Sequence, residues 1–151
     1  MPLLPLRERR VFVDSSAYLA LLDEDDEHHA EAQEIVTKLA RARYRQYTTN
    51  VLLIESHALL LSTLGITPAA EFLRDLEDGN TTIVRARALD EERGKEILFR
   101  YTDKDSSLAD AISFIAMERL GISLAFTFDR HFAQYGFSVL TSRNLDDLLF
   151  R

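Results

Sequence analysis

A three-layer α/β/α fold with a central parallel sheet of about four to five strands is predicted by two features of the sequence. Short apolar runs alternate with amphipathic segments at helical spacing along the 151 residues, the pattern of a parallel sheet covered by helices on both faces. Acidic residues also stand at or beside several of these segments: Asp14 after VFV, Glu55 after VLLI, Asp110 in SSLADA and Asp129 after LAFTF. Ligands bind such sheets beyond the carboxyl ends of the strands, so the fold would bring all four acids to one edge. At this length the expectation is one domain, residues 1–151, with a core of its own.

Each element follows from local pattern. Val11–Val13 reads as a buried strand, and Ser15 or Ser16 is expected to cap a helix over Ala17–Leu22. His28 to Ala40 carries Ala32, Ile35, Val36 and Leu39 at helical spacing. Tyr44–Thr49 is the second strand, and Asn50 is expected to cap a helix through Leu64 that ends at Gly65. Thr67-Pro68 opens a helix with Ala69, Phe72, Leu73 and Leu76 on one face, closed near Gly79. Thr81–Arg85 is the third strand, and a helix over Asp90 to Tyr101 turns Ile97, Leu98 and Tyr101 inward. Ser107 caps a helix striped with Leu108, Ala111, Ile112, Ile115 and Leu120 and ended by Gly121. Ile122–Phe128 is a very apolar strand, Arg130–Gln134 a short helix and Phe137–Leu140 a last strand.

Composition narrows the function classes. With no Cys, the chain has no disulfide, thiolate metal site or thiol nucleophile. That fits a reducing compartment, and a cytoplasmic location is expected. No apolar run nears the roughly 18–20 residues of a membrane span. The opening MPLLPLRERR places its charges after its apolar stretch, the wrong order for a secretory signal. Net charge is −7, although basic residues cluster at Arg7, Arg9 and Arg10, at Arg41, Arg43 and Arg45, and at Arg85 and Arg87. This balance argues against tight nonspecific binding of nucleic acid, not against a nuclease.

Asp14, Glu55, Asp110 and Asp129 together suit a hard, oxygen-preferring cation such as Mg²⁺ or Mn²⁺. Such a cation lowers the pKa of a bound water and polarises a phosphoryl oxygen. Each acid also has a plainer reading. Asp14 suits a helix N-terminus, Asp129 can cap the short helix after it, and Asp110 completes a capping box with Ser107. Glu55 resists dismissal, because a carboxylate in a segment this apolar is costly unless paired or bound. Thr127 shares a strand face with Asp129, and it and Ser16 are possible supporting hydroxyls. Asp103 and Asp105 in YTDKDSS read as a solvated loop, and His28 and His29 as a helix N-terminal turn. His57 and His131 stand isolated in the sequence, and no His is assigned to metal.

The segments VFVDSSAYLALLDEDDEHHAEA, TTNVLLIESHALL, SSLADAISFIAMERLGI and AFTFDRHFAQYGF, in that order, resemble the PIN-domain family. More narrowly they resemble its VapC-type toxin ribonucleases. The resemblance covers nearly the whole chain, and it makes Asp14, Glu55, Asp110 and Asp129 the metal-binding acids, with Thr127 at the family's hydroxyl position. It implies an Mg²⁺- or Mn²⁺-dependent endoribonuclease acting on RNA, a homodimer, and commonly a small antitoxin whose C-terminal segment fills the active-site groove. Roles in RNA processing outside a toxin pair, or as a non-catalytic RNA- or protein-binding module, stay open at this stage. An aspartyl phosphatase fits less well, because Ser16 stands where that chemistry wants a second Asp. Apolar stripes at Ala69, Phe72, Leu73 and Leu76 and at Ile97, Leu98 and Tyr101 either form a dimer interface or pack on the sheet.

Overall fold

The computed structural model describes residues 4–150. After a 3-10 turn at Leu6–Glu8, the elements in order are β1 (Arg10–Val13), α1 (Ser15–Leu22), α2 (His29–Arg41), β2 (Arg45–Thr49), α3 (Asn50–Leu64), α4 (Ile66–Asp78) and β3 (Thr82–Val84). They continue with α5 (Ala88–Arg100), α6 (Leu108–Leu120), β4 (Leu124–Phe126), α7 (Arg130–Tyr135), β5 (Ser138–Val139) and α8 (Leu145–Leu149). The five strands pair in parallel in the order β3-β2-β1-β4-β5. Chain order therefore reverses between β1 and β4, the switch point where such sheets open a crevice.

Alternation along β1 divides the core into two layers. Val11 and Val13 face one side with Ala17 and Tyr18 of α1, Ile35 and Leu39 of α2, Phe72 of α4, and Leu145 and Leu149 of α8. Phe12 faces the other with Leu52, Phe114 and Met117, Ala125 of β4 and Phe132 of α7. The three-layer expectation holds.

Several boundaries moved, each for a local reason. The cap of α1 is Asp14, whose carboxylate accepts from Ser16 N, not Ser15 or Ser16. The cap of α3 is Thr49, which accepts from Leu52 N, while Asn50 Oδ1 accepts from Ala86 N at 2.8 Å and ties α3 to the segment after β3. β4 is shorter than Ile122–Phe128. The Phe128 and Asp129 amides leave the ladder and donate to Ser16 Oγ and Thr127 Oγ1 instead. α8 was not anticipated.

The two apolar stripes resolve differently. Ala69 and Phe72 of α4 are buried in the core, so they pack inward and form no dimer face. Ile97 and Leu98 are only half-buried and Tyr101 is 44% exposed, so the inward assignment of that stripe fails. The sheet face is already covered by α6, and α5 lies on α6 through Asp90 and Gly94. A Cβ at Gly94 would stand 3.2 Å from Ile112 Cγ1, so the absent side chain is what lets the helices approach.

Asp90 anchors this contact. It accepts from the Arg87 amide at 2.8 Å and from Arg119 Nε and Nη2 at 3.1 and 2.9 Å. Burial alone would raise its carboxyl; the Arg119 guanidinium and the Arg87 amide outweigh that and hold it below the usual carboxylate range. Arg119→Ala leaves this buried charge without its partner. The expected loss is about 3–5 kcal/mol of unfolding free energy in urea. Because the folded value is depressed, this stabilisation is present above the unfolded pKa and fades as pH falls through the folded one.

Candidate active site

Three helices begin at the switch-point edge, and each carries one of the acids in its first turn or at its cap. Asp14 caps α1 directly after β1, Asp129 caps α7 after β4, and Asp110 is the third residue of α6. The positive ends of three helix dipoles thus support carboxylates at their caps or in their first turn. Glu55 reaches the same edge from α3, where Ser15 Oγ donates to its Oε1 at 3.1 Å.

The plain capping readings are therefore correct in geometry. They do not compete with a site. Asp129 Oδ1 accepts from His131 N at 2.9 Å. Asp110 Oδ2 accepts from Ser107 N at 3.2 Å, while Ser107 Oγ accepts from Asp110 N at 3.0 Å, closing the expected capping box. Asp14 is held through one oxygen, with Ser16 Oγ donating to Oδ2 at 2.6 Å and Thr127 Oγ1 donating to it at 2.9 Å. Both hydroxyls accept from backbone in turn, Ser16 from Phe128 N at 2.9 Å and Thr127 from Asp129 N at 3.0 Å. The backbone before α7 is thereby wired to Asp14, and the hydroxyls hold its Oδ2 at a fixed position.

The electrostatics are those of crowded carboxylates. Burial pushes Asp110 up to about 6, and Asp129 and Asp14 push it in the same direction against the bonds to Ser107. Burial also raises Asp14, against the hydrogen bonds from Ser16 and Thr127 and with a contribution from Asp129. Glu55 is raised by burial first, opposed by Ser15, and then by the charges of Asp14 and Asp129. The four acids thus share one field.

His131 is the main correction to the sequence reading. It is not isolated: its Nδ1 lies 2.5 Å from Asp129 Oδ1 and 3.7 Å from Asp110 Oδ2, and its Nε2 lies 2.6 Å from Asp105 Oδ1. The Asp105 bond, opposed by burial and assisted by Asp129, raises the imidazole pKa. Asp105 is thus more than a solvated loop residue, since Arg130 Nη2 also donates to it at 3.2 Å. Asp103 pairs with Lys104 at its side. His28 and His29 do serve the start of α2, with His28 stacked on Phe128 at 4.5 Å and His29 Nδ1 2.8 Å from Ala20 O.

Asp110, Asp129 and His131 each offer a ligand atom within 4.8 Å of the others. His131 Nδ1 is buried against the Asp129 carboxylate. The carboxylate oxygens of Asp110 and Asp129, with Asp14 and Glu55 alongside, fit a hard divalent cation of the Mg²⁺, Mn²⁺ class, and the His131 imidazole borders that oxygen set. The only sequence trace of His131 is its spacing of two from Asp129.

A family model described as the PIN domain matches residues 11–138, from β1 to β5 and across all four acids. The chain belongs to the PIN domain family. This PIN domain is 31% identical over 132 residues to the 23S rRNA-specific endonuclease VapC20 of Mycobacterium tuberculosis, covering 84% of the chain and 95% of that protein. It is 26% identical over 124 residues to Ribonuclease VapC26 of the same organism, covering 82% and 90%. The crystal structure of M. tuberculosis VapC20, a sarcin-ricin loop cleaving toxin, superposes with a TM-score of 0.80 at 28% identity over 87% of this PIN domain and 98% of that chain. FitAcB from Neisseria gonorrhoeae shares the fold at a TM-score of 0.57 and 13% identity, over 86% and 96%. No helix among the described residues is long and apolar enough to cross a membrane.

Proposed function

We propose that the protein is an endoribonuclease that depends on Mg²⁺ or Mn²⁺ and serves as the toxin of a type II toxin–antitoxin pair. The observation that carries this reading is the carboxylate cluster at the switch point, where burial and neighbouring acids together raise Asp14, Glu55 and Asp110. Asp110 and Asp129 would hold the ion, with Asp14 and Glu55 completing its surroundings through direct or water-mediated bonds and His131 positioning Asp129. When bound, such a cation activates water for in-line attack on phosphorus and offsets charge on the phosphoryl oxygens. Ser16 and Thr127 fix Asp14, Ser15 steers Glu55, and no side chain is required as a covalent nucleophile.

The test is cleavage of RNA by the purified protein, starting with the sarcin–ricin loop, the element that VapC20 cleaves. Cleavage should vanish in EDTA and return with Mn²⁺ or Mg²⁺; full activity in EDTA would overturn the reading. The toxin role predicts growth arrest on expression, relieved by Asp14→Asn and by a co-expressed small antitoxin. Harmless expression of an active nuclease would instead indicate RNA processing. A homodimer belongs to the same reading. Its candidate face is α3, where Ile54 (66% exposed), Ala58 and Leu61 follow one another at helical spacing on the exposed side.

Thr127 offers a graded check on the positioning role. Thr127→Val keeps the shape but removes the hydroxyl that links Asp129 N to Asp14. Cation affinity, read by the Mn²⁺ dependence of the melting temperature, should fall roughly 10–100-fold, the usual effect of losing a group that orients a ligand. Thr127→Ser should retain most of it.

A further inference from the structure

We propose that the cavity between α5, α6 and α7 is a subsite for one unpaired nucleobase of the RNA, next to the scissile phosphate. This deepens the nuclease reading and rests on it. The cavity measures about 380 Å³, within the roughly 300–1,000 Å³ of ordinary small-ligand pockets. Its lining includes Tyr101, Ser106, Phe114, His131, Gln134 and Tyr135.

Position makes the first argument. His131 belongs to both places: it lines the cavity, and its Nδ1 lies against Asp129 and Asp110. An occupant of the cavity is therefore one imidazole away from the carboxylate cluster. A nucleotide whose phosphate sits at the cluster has its base within reach of this space.

Chemistry makes the second. Phe114 and Tyr135 form a stacked pair, with centroids 4.6 Å apart and planes at 18°, and Tyr101 stands 44% exposed at the end of α5. Phe114 is itself buried and backs Tyr135, so the accessible aromatic side chain is Tyr101, of the kind on which single-stranded RNA recognition stacks a base. Ser106 and Gln134 supply a hydroxyl and an amide able to meet the donor and acceptor pattern of a base edge. Lys104, also in the lining, carries an exposed ammonium suited to a flanking phosphate.

Charge makes the third. At a net charge of −7 the protein has little general attraction for a polyanion. Binding must then come from local contacts, and stacking supplies affinity that does not depend on net charge. The arrangement also implies selectivity, because a cleavage site would have to present an unpaired base that the cavity accepts.

Two measurements test this. In the first, AMP, GMP, CMP and UMP are titrated into 3-fluorotyrosine-labelled protein with Mg²⁺, and the ¹⁹F resonances of Tyr101 and Tyr135 are followed, assigned through Tyr101→Phe and Tyr135→Phe. Both resonances should shift with at least one nucleotide; unmoved resonances at millimolar nucleotide would overturn the subsite. In the second, single-turnover cleavage is measured on RNAs that vary the base beside the cut. Tyr101→Ala should lose about tenfold or more in kcat/KM, Tyr101→Phe should recover it, and Gln134→Ala should reorder the preferred bases. Wild-type cleavage with no response to these substitutions removes the subsite and leaves the nuclease reading standing. Nucleotide-induced shifts without any RNA cleavage do the reverse. Should Tyr101→Ala turn a dimer into a monomer by light scattering, the cavity wall is a subunit contact and the inference falls.

Discussion

Asp14→Asn, Asp110→Asn and Asp129→Asn should each lower RNA cleavage by roughly 10²–10³-fold, the scale seen when one group that stabilises developing charge is removed. Shape is nearly unchanged in each case. An amide oxygen can still cap α1 or α7, or accept from Ser107 N in the capping box of α6, so the helices should form as before. What disappears is the negative charge and the second oxygen able to bind the ion. The expected signature is therefore a large fall in rate with a wild-type far-ultraviolet dichroism spectrum. Measured as single-turnover cleavage at saturating Mn²⁺, the loss should exceed that of Thr127→Val, which only loosens Asp14. Three fully active Asn variants would refute the assigned site, whatever the sequence relationship to ribonucleases.

Asp110→Asn should have the opposite effect on the stability of the cation-free protein. Asp110 is raised to about 6 by burial and by its neighbours, so its folded form holds a proton more tightly than its unfolded form. A raised value means the contribution is fully present below the unfolded pKa and is lost as pH rises through the folded one. Above about pH 6 the ionised Asp110 is thus a liability of order 1–3 kcal/mol. In EDTA at pH 7.5, Asp110→Asn should melt several degrees above wild type, while near pH 4 the two should converge. Saturating Mn²⁺ should reverse the ranking. Binding to the native state adds about 2.7 kcal/mol at a hundredfold excess over the dissociation constant, and the Asn variant should lose most of this. Equal metal-induced shifts in both proteins would remove Asp110 from the ion's surroundings. An Asp110→Asn protein less stable than wild type in EDTA would show that hydrogen bonding to Ser107, not repulsion, dominates that carboxylate.

Much of this was legible in the chain. Val11–Val13, the stripe of α2 and the Ser107–Asp110 box follow local rules that involve residues close in sequence, and they appear where expected. Asp14, Asp110 and Asp129 were legible as a set because each stands at the start of a helix, and parallel topology sends those ends to one edge, where Glu55 joins them from within α3. The cap-or-ligand alternative was not resolvable there, and the structure shows why: a carboxylate has two oxygens, and the helix needs only one.

Sequence by itself determined the order of elements from β1 to β5, the five-strand parallel plan within its expected range, and the acidic edge, because all three depend on periodicity and on turn and cap chemistry between near neighbours. Tertiary structure alone decided the rest. His131 meets Asp105, Asp110 and Asp129 only when α7 docks beside α6. Thr127 reaches Asp14 only because β4 lies next to β1. α5 settles on α6, not on the sheet, because the sheet face beneath is already covered and Gly94 admits a close approach. Contacts of this kind join residues far apart in the chain, and they form where packing and hydrogen-bond satisfaction are met in three dimensions, conditions that leave no periodic trace in the order of residues.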